Sequence, residues 1–340
     1  MLDILKTSTY SYNLPNELIA SKPIIPADHS KLLIYNRKEN SITHTIFKKI
    51  IEYIPKNTSI FINDTKVIKA RIYGVKKTLG KIELLFIKNI ENYKNLCLIK
   101  GKIEINSKIF FDNKLEAKII KLNSDGTRIV EFYQNNKILN FQELIKILNQ
   151  IGHIPLPPYI NRKDNKNDEV DYQTIFCNKY GSVASPTASL HFTKELFQKI
   201  KDNFDINKIT LHIGAGTFKN IETENILDHK IHSEYFEISN NSNEILRKSN
   251  KILAIGTTVT RTIEYNIRTK KQFGQCDLFL NPINKPQKVD YLLTNFHLPK
   301  STLIMLVASF LGIEKTLEIY NIAIKKKYRF FSYGDSMLII

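Results

Sequence analysis

From about Lys56 to Phe132 the chain is written in short apolar and β-branched runs broken by turns: Ile60-Phe-Ile, Ala70-Arg-Ile-Tyr, Lys81-Ile-Glu-Leu-Leu-Phe and Lys118-Ile-Ile-Lys-Leu. Ser124-Asp-Gly, between Ile119 and Val130, is a hairpin signal, because Asp-Gly tolerates the positive φ of a tight turn. Runs of this length and period predict a small all-β module, a barrel or a sandwich. A strand-only block inside helix-bearing sequence constrains the whole chain, because the flanking segments must fold around it.

Those flanks read differently. Leu32-Leu-Ile-Tyr is a short buried strand after a loop held by Pro23 and Pro26. Asn140 with Glu143 three residues on makes a capping box for a helix through Leu148, stopped by Gly152. After Gly152 strands and helices alternate. Thr193 caps a helix with Leu196, Phe197 and Ile200 on one face, and Ile209-Thr-Leu-His-Ile and Ile252-Leu-Ala-Ile run into glycine-rich loops. Ser301 caps an all-round apolar helix to Leu311 with Gly312 at its end, and Glu314 to Lys326 forms another. The C-terminal half is therefore α/β.

At 340 residues the chain holds one large domain plus one smaller one. Cys97, Cys177 and Cys276 lie far apart without a Cys-x-x-Cys, which fits a reducing cytosol and argues against a disulfide frame or a zinc cluster. The first residues carry an early acid and no long apolar run, so a signal peptide is not expected. The longest apolar stretch, near Leu303–Leu311, is far short of the roughly 20 residues that span a bilayer. The formal charge of +17 points to an anionic partner, although only 8 of the 50 basic residues are Arg, a lysine bias that AT-rich coding also produces.

Chemistry-bearing residues gather in a few loops. Gly152-His-Ile-Pro-Leu-Pro-Pro-Tyr-Ile-Asn-Arg is a rigid loop presenting His153, Tyr159 and Arg162, or else a plain crossover between domains. Tyr172 and Gln173 follow it. Ser182 to Phe218 carries Thr187, His191, Phe192 and His212, then Gly214, Gly216 and Thr217, a texture too polar for a core and too apolar for a linker. Its glycines let backbone N–H groups approach an anion, but the spacing is neither a dinucleotide fingerprint nor a P-loop. His229 and His232 with Glu234 have a metal-like spacing without a third ligand type; a His/Glu pair moving protons is more economical. Thr257, Thr258 and Arg261 open a helix whose free N–H groups suit a carboxylate or a ribose. Asn295, His297 and Lys300 precede the apolar helix, and Arg329, Tyr333 and Asp335 lie near the C-terminus in a segment too aromatic for a frayed tail.

Taken together these segments resemble the S-adenosylmethionine:tRNA ribosyltransferase-isomerases of queuosine biosynthesis over nearly the whole chain. The resemblance is carried by Asp28-His-Ser-Lys-Leu-Leu, Phe61-Ile-Asn-Asp-Thr-Lys-Val-Ile-Lys-Ala-Arg, Ser185-Pro-Thr-Ala-Ser-Leu-His-Phe-Thr, Thr210-Leu-His-Ile-Gly-Ala-Gly-Thr-Phe, His232-Ser-Glu-Tyr, Thr294-Asn-Phe-His-Leu-Pro-Lys-Ser-Thr and Tyr328-Arg-Phe-Phe-Ser-Tyr-Gly-Asp-Ser-Met. Ala27, Lys66, Ser189, Ile231 and Asn281-Pro-Ile-Asn depart from the family's usual residues.

The resemblance implies an α/β-barrel-like catalytic domain, residues 1–55 and 150–340, interrupted by a small all-β barrel domain at 56–149. It implies transfer and isomerisation of the ribosyl part of S-adenosylmethionine onto the aminomethyl group of 7-aminomethyl-7-deazaguanine at the tRNA wobble position. The product is epoxyqueuosine, with adenine and methionine released. The partners implied are the anticodon stem-loop of that tRNA and S-adenosylmethionine as co-substrate, with no metal or redox cofactor and no membrane, for a cytoplasmic monomer. This chemistry needs a base to free an amine whose pKa is near ~10 and another to remove an acidic ribose proton, and histidine supplies groups near neutrality. His191, His212, His232 and His297 are therefore expected to converge, with Glu234 or Asp335 orienting one of them. Gly214, Gly216, Thr257 and Thr258 are expected at the nucleoside and methionine ends, and Arg162, Lys300 and Arg329 on the RNA. The rivals are a methyltransferase using the same sulfonium and a non-catalytic RNA-binding protein.

Overall fold

The computed structural model describes residues 2–91, 93–214, 216 and 221–340. The chain begins with β1 (Lys31–Asn36), β2 (Ser41–Ile46) and β3 (Ser59–Asn63). In β1 the two-residue period of a strand sends Leu32 and Ile34 to one core cluster and Leu33 and Tyr35 to another, so both faces are covered. The short β4 (Thr65–Val67) leads into the β-rich block.

That block holds β5 (Arg71–Lys76), β6 (Lys81–Glu91), β7 (Lys94–Lys100), β8 (Lys108–Phe110), β9 (Leu115–Leu122), β10 (Thr127–Gln134) and β11 (Lys137–Ile138). The order β10-β7-β6-β5-β8-β9 closes on itself through a β9–β10 pairing, giving a six-stranded barrel with β11 on β10. Closure leaves no open edge along those six strands. The β9–β10 turn is the expected hairpin, with Asp125 Oδ1 accepting from the Thr127 N–H at 2.9 Å. Helix α1 (Phe141–Ile151) starts in the expected capping box, Asn140 and Glu143 exchanging bonds of 3.0 Å, and buries Leu144, Ile145, Ile147 and Leu148 with the barrel core. Strand β3, which the sequence texture assigns to the small module, lies instead in the middle of the large sheet; the barrel strands begin only at Arg71.

The rest of the chain supplies α2 (Asp168–Asp171), β12 (Lys179–Ser182), α3 (Lys194–Asn203), β13 (Ile206–Leu211), β14 (Glu234–Ile238), α4 (Asn240–Lys248), β15 (Ile252–Ile255), α5 (Thr257–Thr269), β16 (Phe273–Cys276), β17 (Tyr291–Asn295), α6 (Thr302–Leu311), α7 (Ile313–Lys325) and β18 (Ser336–Ile339). Nine strands form one mixed sheet in the order β16-β14-β13-β3-β15-β17-β18-β1-β2. Its centre, β13-β3-β15-β17, is parallel. Ser301 caps α6 as expected, accepting from the Ile304 N–H at 3.3 Å, and Ile304 to Ser309 are all buried. Each such apolar side chain contributes about 1.5–3 kcal/mol on burial. The fold is mixed α/β, a large sheet domain interrupted by a small closed barrel. No helix among the described residues is long and apolar enough to cross a membrane.

Candidate active site

The four central strands run in parallel, so their carboxyl ends open on one edge of the sheet, the position where α/β folds place ligands. The segments leaving β13, β15 and β17 line a cleft there, with Ile213, Gly256 to Thr258, Asn295, His297 and Leu298 facing Ser185 to Ala188, Tyr159 and Ser332. Its water-accessible interior is about 70 Å³, and it opens to solvent. A second cleft adjoins it across Leu303 and is lined by Gly216, His229, His232, Glu234 and Arg261.

His297 is the histidine of the main cleft. Its Nε2 lies 2.8 Å from Thr294 Oγ1, its N–H donates to the Tyr320 hydroxyl at 3.2 Å, and Tyr12 Oη donates to its carbonyl. Nδ1 has no partner among the described residues. Burial lowers the ring's pKa to about 3, so it is a neutral imidazole with an open lone pair or proton. Gly256, at φ 98°, turns the chain from β15 into α5 and brings Thr257 and Thr258 to the wall, where the first N–H groups of the helix are free. Ser185 Oγ is buried at the cleft without a hydrogen-bond partner among the described residues, a group a ligand would satisfy.

The other candidates sort by contact. His191 lies behind the wall, its Nδ1 2.9 Å from Ser30 Oγ and its Nε2 3.1 Å from Asn295 Nδ2; burial, then Arg329, lowers its pKa to about 3. His212 follows β13 on the side opposite Ile213, bonded to Thr65 Oγ1 at 2.7 Å and stacked on Tyr235; burial and Lys179 hold its pKa near about 4. His232 is exposed in the second cleft, against Gly216, where a Cβ would sit 2.3 Å from the ring. The expected convergence of four histidines is therefore not met: His297 and His232 occupy adjoining clefts, while His191 and His212 line neither.

Among the described contacts, the carboxylates of Glu234 and Asp335 hold backbone and an arginine and not a histidine ring. Glu234 Oε1 accepts the Gly214 N–H at 2.9 Å and Oε2 pairs with Arg261 Nη1 at 2.5 Å, so the acid holds the glycine loop. Asp335 accepts the Lys31 and Arg329 backbone N–H groups, each at 2.8 Å, and its pKa is raised by burial. Arg162 forks onto Asp168 with two bonds of 2.7 Å, and Tyr333 donates to the same carboxylate at 3.0 Å. Tyr172 is buried against Tyr333, Gln173 mimics a strand partner by bonding both ways to Val67, and Phe192 packs between Phe47 and Phe197. These are framework contacts. His153 pairs with Asp164 at 3.1 Å beside the barrel's Arg71, Arg329 donates to the Lys22 carbonyl, and Lys300 is exposed. Tyr159 reaches Ser332 Oγ at 2.5 Å and lines the main cleft with Thr187, Thr257, Thr258 and Asn295. Thr217 lies outside the described residues.

Sequence reasoning missed Ser30, Asn63, Thr294 and Ser332. Ser30, Asn63 and Ser332 are small polar residues whose partners lie far along the chain, Asn63, for example, bridging to Leu211 by bonds of 3.0 and 3.1 Å, while Thr294 acts on His297 three residues on.

Residues 7–339 match the family of queuosine biosynthesis proteins. The chain is 61% identical to the S-adenosylmethionine:tRNA ribosyltransferase-isomerase of Aliarcobacter butzleri and 56% identical to that of Nitratiruptor, over the full length of both chains in each case. The crystal structure of S-adenosylmethionine tRNA ribosyltransferase from Thermotoga maritima is 33% identical, aligns with 98% of this chain and 100% of its own, and gives a TM-score of 0.55. With motifs, fold and full-length similarity in agreement, this chain belongs to the queuosine biosynthesis protein family.

Proposed function

We infer that the chain is an S-adenosylmethionine:tRNA ribosyltransferase-isomerase, moving the ribosyl part of S-adenosylmethionine onto the aminomethyl group of the modified wobble base and releasing adenine and methionine. The observation that carries the reading is the meeting of motifs over a hundred residues apart around one cleft: Thr187, Thr257, Asn295 and His297 line the same space. In this reading His297 accepts a proton through its open nitrogen, and the free N–H groups at the start of α5, with Thr257 and Thr258, hold an acceptor-rich end of S-adenosylmethionine. His232 serves the adjoining cleft, where RNA would enter. The exposed lysines, Lys300 among them, meet the phosphates of the anticodon stem-loop, and this substrate places the chain in the cytoplasm. The inserted unit is taken as Ile68 to Ile151, the span whose apolar residues share the barrel core.

The test is one incubation with S-adenosylmethionine and tRNA bearing the aminomethyl base. Adenine and methionine in equal amounts support the reading. S-adenosylhomocysteine means methyl transfer, and tight RNA binding without turnover means a binding protein.

A further inference from the structure

Ser30, His191 and Asn295 form a line of hydrogen bonds that ends on Thr187 at the wall of the main cleft. Ser30 Oγ lies 2.9 Å from His191 Nδ1, His191 Nε2 lies 3.1 Å from Asn295 Nδ2, and Asn295 Oδ1 lies 2.9 Å from Thr187 Oγ1. One contact outside the line fixes the direction of every bond in it. Asn295 Nδ2 is also 3.3 Å from the Asp335 backbone carbonyl, which can only accept, so that end of the amide is the NH₂. An NH₂ donates, hence His191 Nε2 is a bare lone pair and the neutral ring carries its proton on Nδ1, given to Ser30. At the other end Asn295 Oδ1 can only accept, so it takes the Thr187 hydroxyl hydrogen. Thr187 therefore shows the cleft lone pairs and no hydrogen. Charging His191 would set a donor against the Asn295 NH₂, and its burial, at 4% exposure, opposes this as well.

A free threonine hydroxyl rotates to suit either a donor or an acceptor. Locking it matters only against a group that can only donate, as an amine N–H conjugated to a purine does, or an amine already using its lone pair. Resting on the function inferred above, we propose that Ser30, His191 and Asn295 are positioning residues that lock Thr187 as an obligate acceptor for an amine N–H of the substrate. Two amines have this chemistry, the exocyclic amine of the adenine in S-adenosylmethionine and the aminomethyl group of the RNA base.

The test pairs each substrate with its amine-free counterpart: S-adenosylmethionine against its analogue with hydrogen in place of the 6-amino group, and the stem-loop RNA with and without the aminomethyl group. Wild-type protein is expected to bind the amine-bearing member of one pair about 10-fold more tightly, Thr187→Val to bind both members alike, and Thr187→Ser to keep the preference. The pair that loses its preference identifies the amine; unchanged preference in both pairs overturns the proposal. Ser30→Ala, which leaves the cleft wall untouched, is expected to lower the same preference while leaving the affinity for the amine-free member as it was, a split that general loss of structure does not give. A ligand-free readout separates the relay from the activity. Ring ¹⁵N shifts of His191, assigned with His191→Gln, should report the Nδ1–H tautomer, and an Nε2–H or doubly protonated ring at neutral pH overturns the relay. Failure of the functional reading appears differently, as wild-type protein that releases no adenine.

Discussion

Arg261 and Glu234 form the ion pair on which the glycine loop depends. Their side chains are 9% and 5% exposed, Nη1 to Oε2 is 2.5 Å, and the second carboxylate oxygen takes the Gly214 N–H. Arg261 also donates from Nε to the Leu278 carbonyl at 3.1 Å, tying the loop to the segment after β16. Arg261→Met keeps most of the stem's volume and leaves the Glu234 charge buried without its arginine. Breaking a buried pair from one side costs about 3–5 kcal/mol. Adding Glu234→Gln removes the orphaned charge while leaving an amide oxygen for Gly214, so the double variant should recover about 1–3 kcal/mol of that loss. Guanidinium unfolding of the four proteins of the cycle, at unchanged m value, measures both quantities. An Arg261→Met cost below about 1 kcal/mol, or single effects that simply add, refutes the claim that this pair is a buried, coupled clamp.

Other outcomes follow from the same geometry. In single-turnover adenine release, His297→Asn should be slowed about 100-fold or more, while His212→Asn, whose ring lines neither cleft, should stay within a few-fold of wild type; equal losses would sink the assignment. Stability should fall with acid. His191 and His297 have folded pKa values of about 3, below the ~6.5 of an unfolded histidine, so between those limits the unfolded state binds the extra proton. Going from pH 7 to pH 5 should cost about 2 kcal/mol for each ring, and His297→Asn should flatten the slope; an unchanged slope counts against its buried neutral state. Gly152→Ala would place a Cβ 2.1 Å from the Lys69 carbonyl oxygen, a backbone atom that cannot swing aside, and is expected to destabilise by more than about 2 kcal/mol in thermal unfolding. Binding to the anticodon stem-loop should weaken steeply as salt rises from 50 to 200 mM, and a flat response would remove the phosphate contacts from the reading.

Local signals in the sequence carried much of the fold. The Asn140–Glu143 box, the Ser301 cap and the Asp125 turn all act within three residues, so propensity and spacing suffice to find them. Where local propensity is ambiguous, tertiary pairing decides. Ile60-Phe-Ile is as good a barrel strand as a sheet strand by composition, and only its parallel partners Ile206 to Ile209 and Ile252 to Ala254 settle the matter. The site was legible as a set of motifs and not as a geometry. His212 and Ile213 are adjacent in sequence, yet they point to opposite sides of the strand end, and one lines the cleft while the other stacks on Tyr235. Arg162 reads as an RNA contact until Asp168, six residues on, is seen to take its fork.

The charge state of the cleft bears on the substrate itself. S-adenosylmethionine brings a sulfonium cation, and an imidazolium in the same dry space would repel it, since two like charges in a weakly screening interior interact far more strongly than in water. Burial holds His297 and His191 uncharged, and Arg261, the arginine beside the adjoining cleft, is matched by Glu234 at 2.5 Å. The cleft thus has no unpaired positive group on its described wall, and its polar atoms are hydroxyls, amides, the neutral His297 imidazole and backbone N–H groups. A neutral imidazole is also the form that can take a proton from a substrate. The burial that lowers the pKa of His297 thus also keeps it in the neutral form that can take a proton.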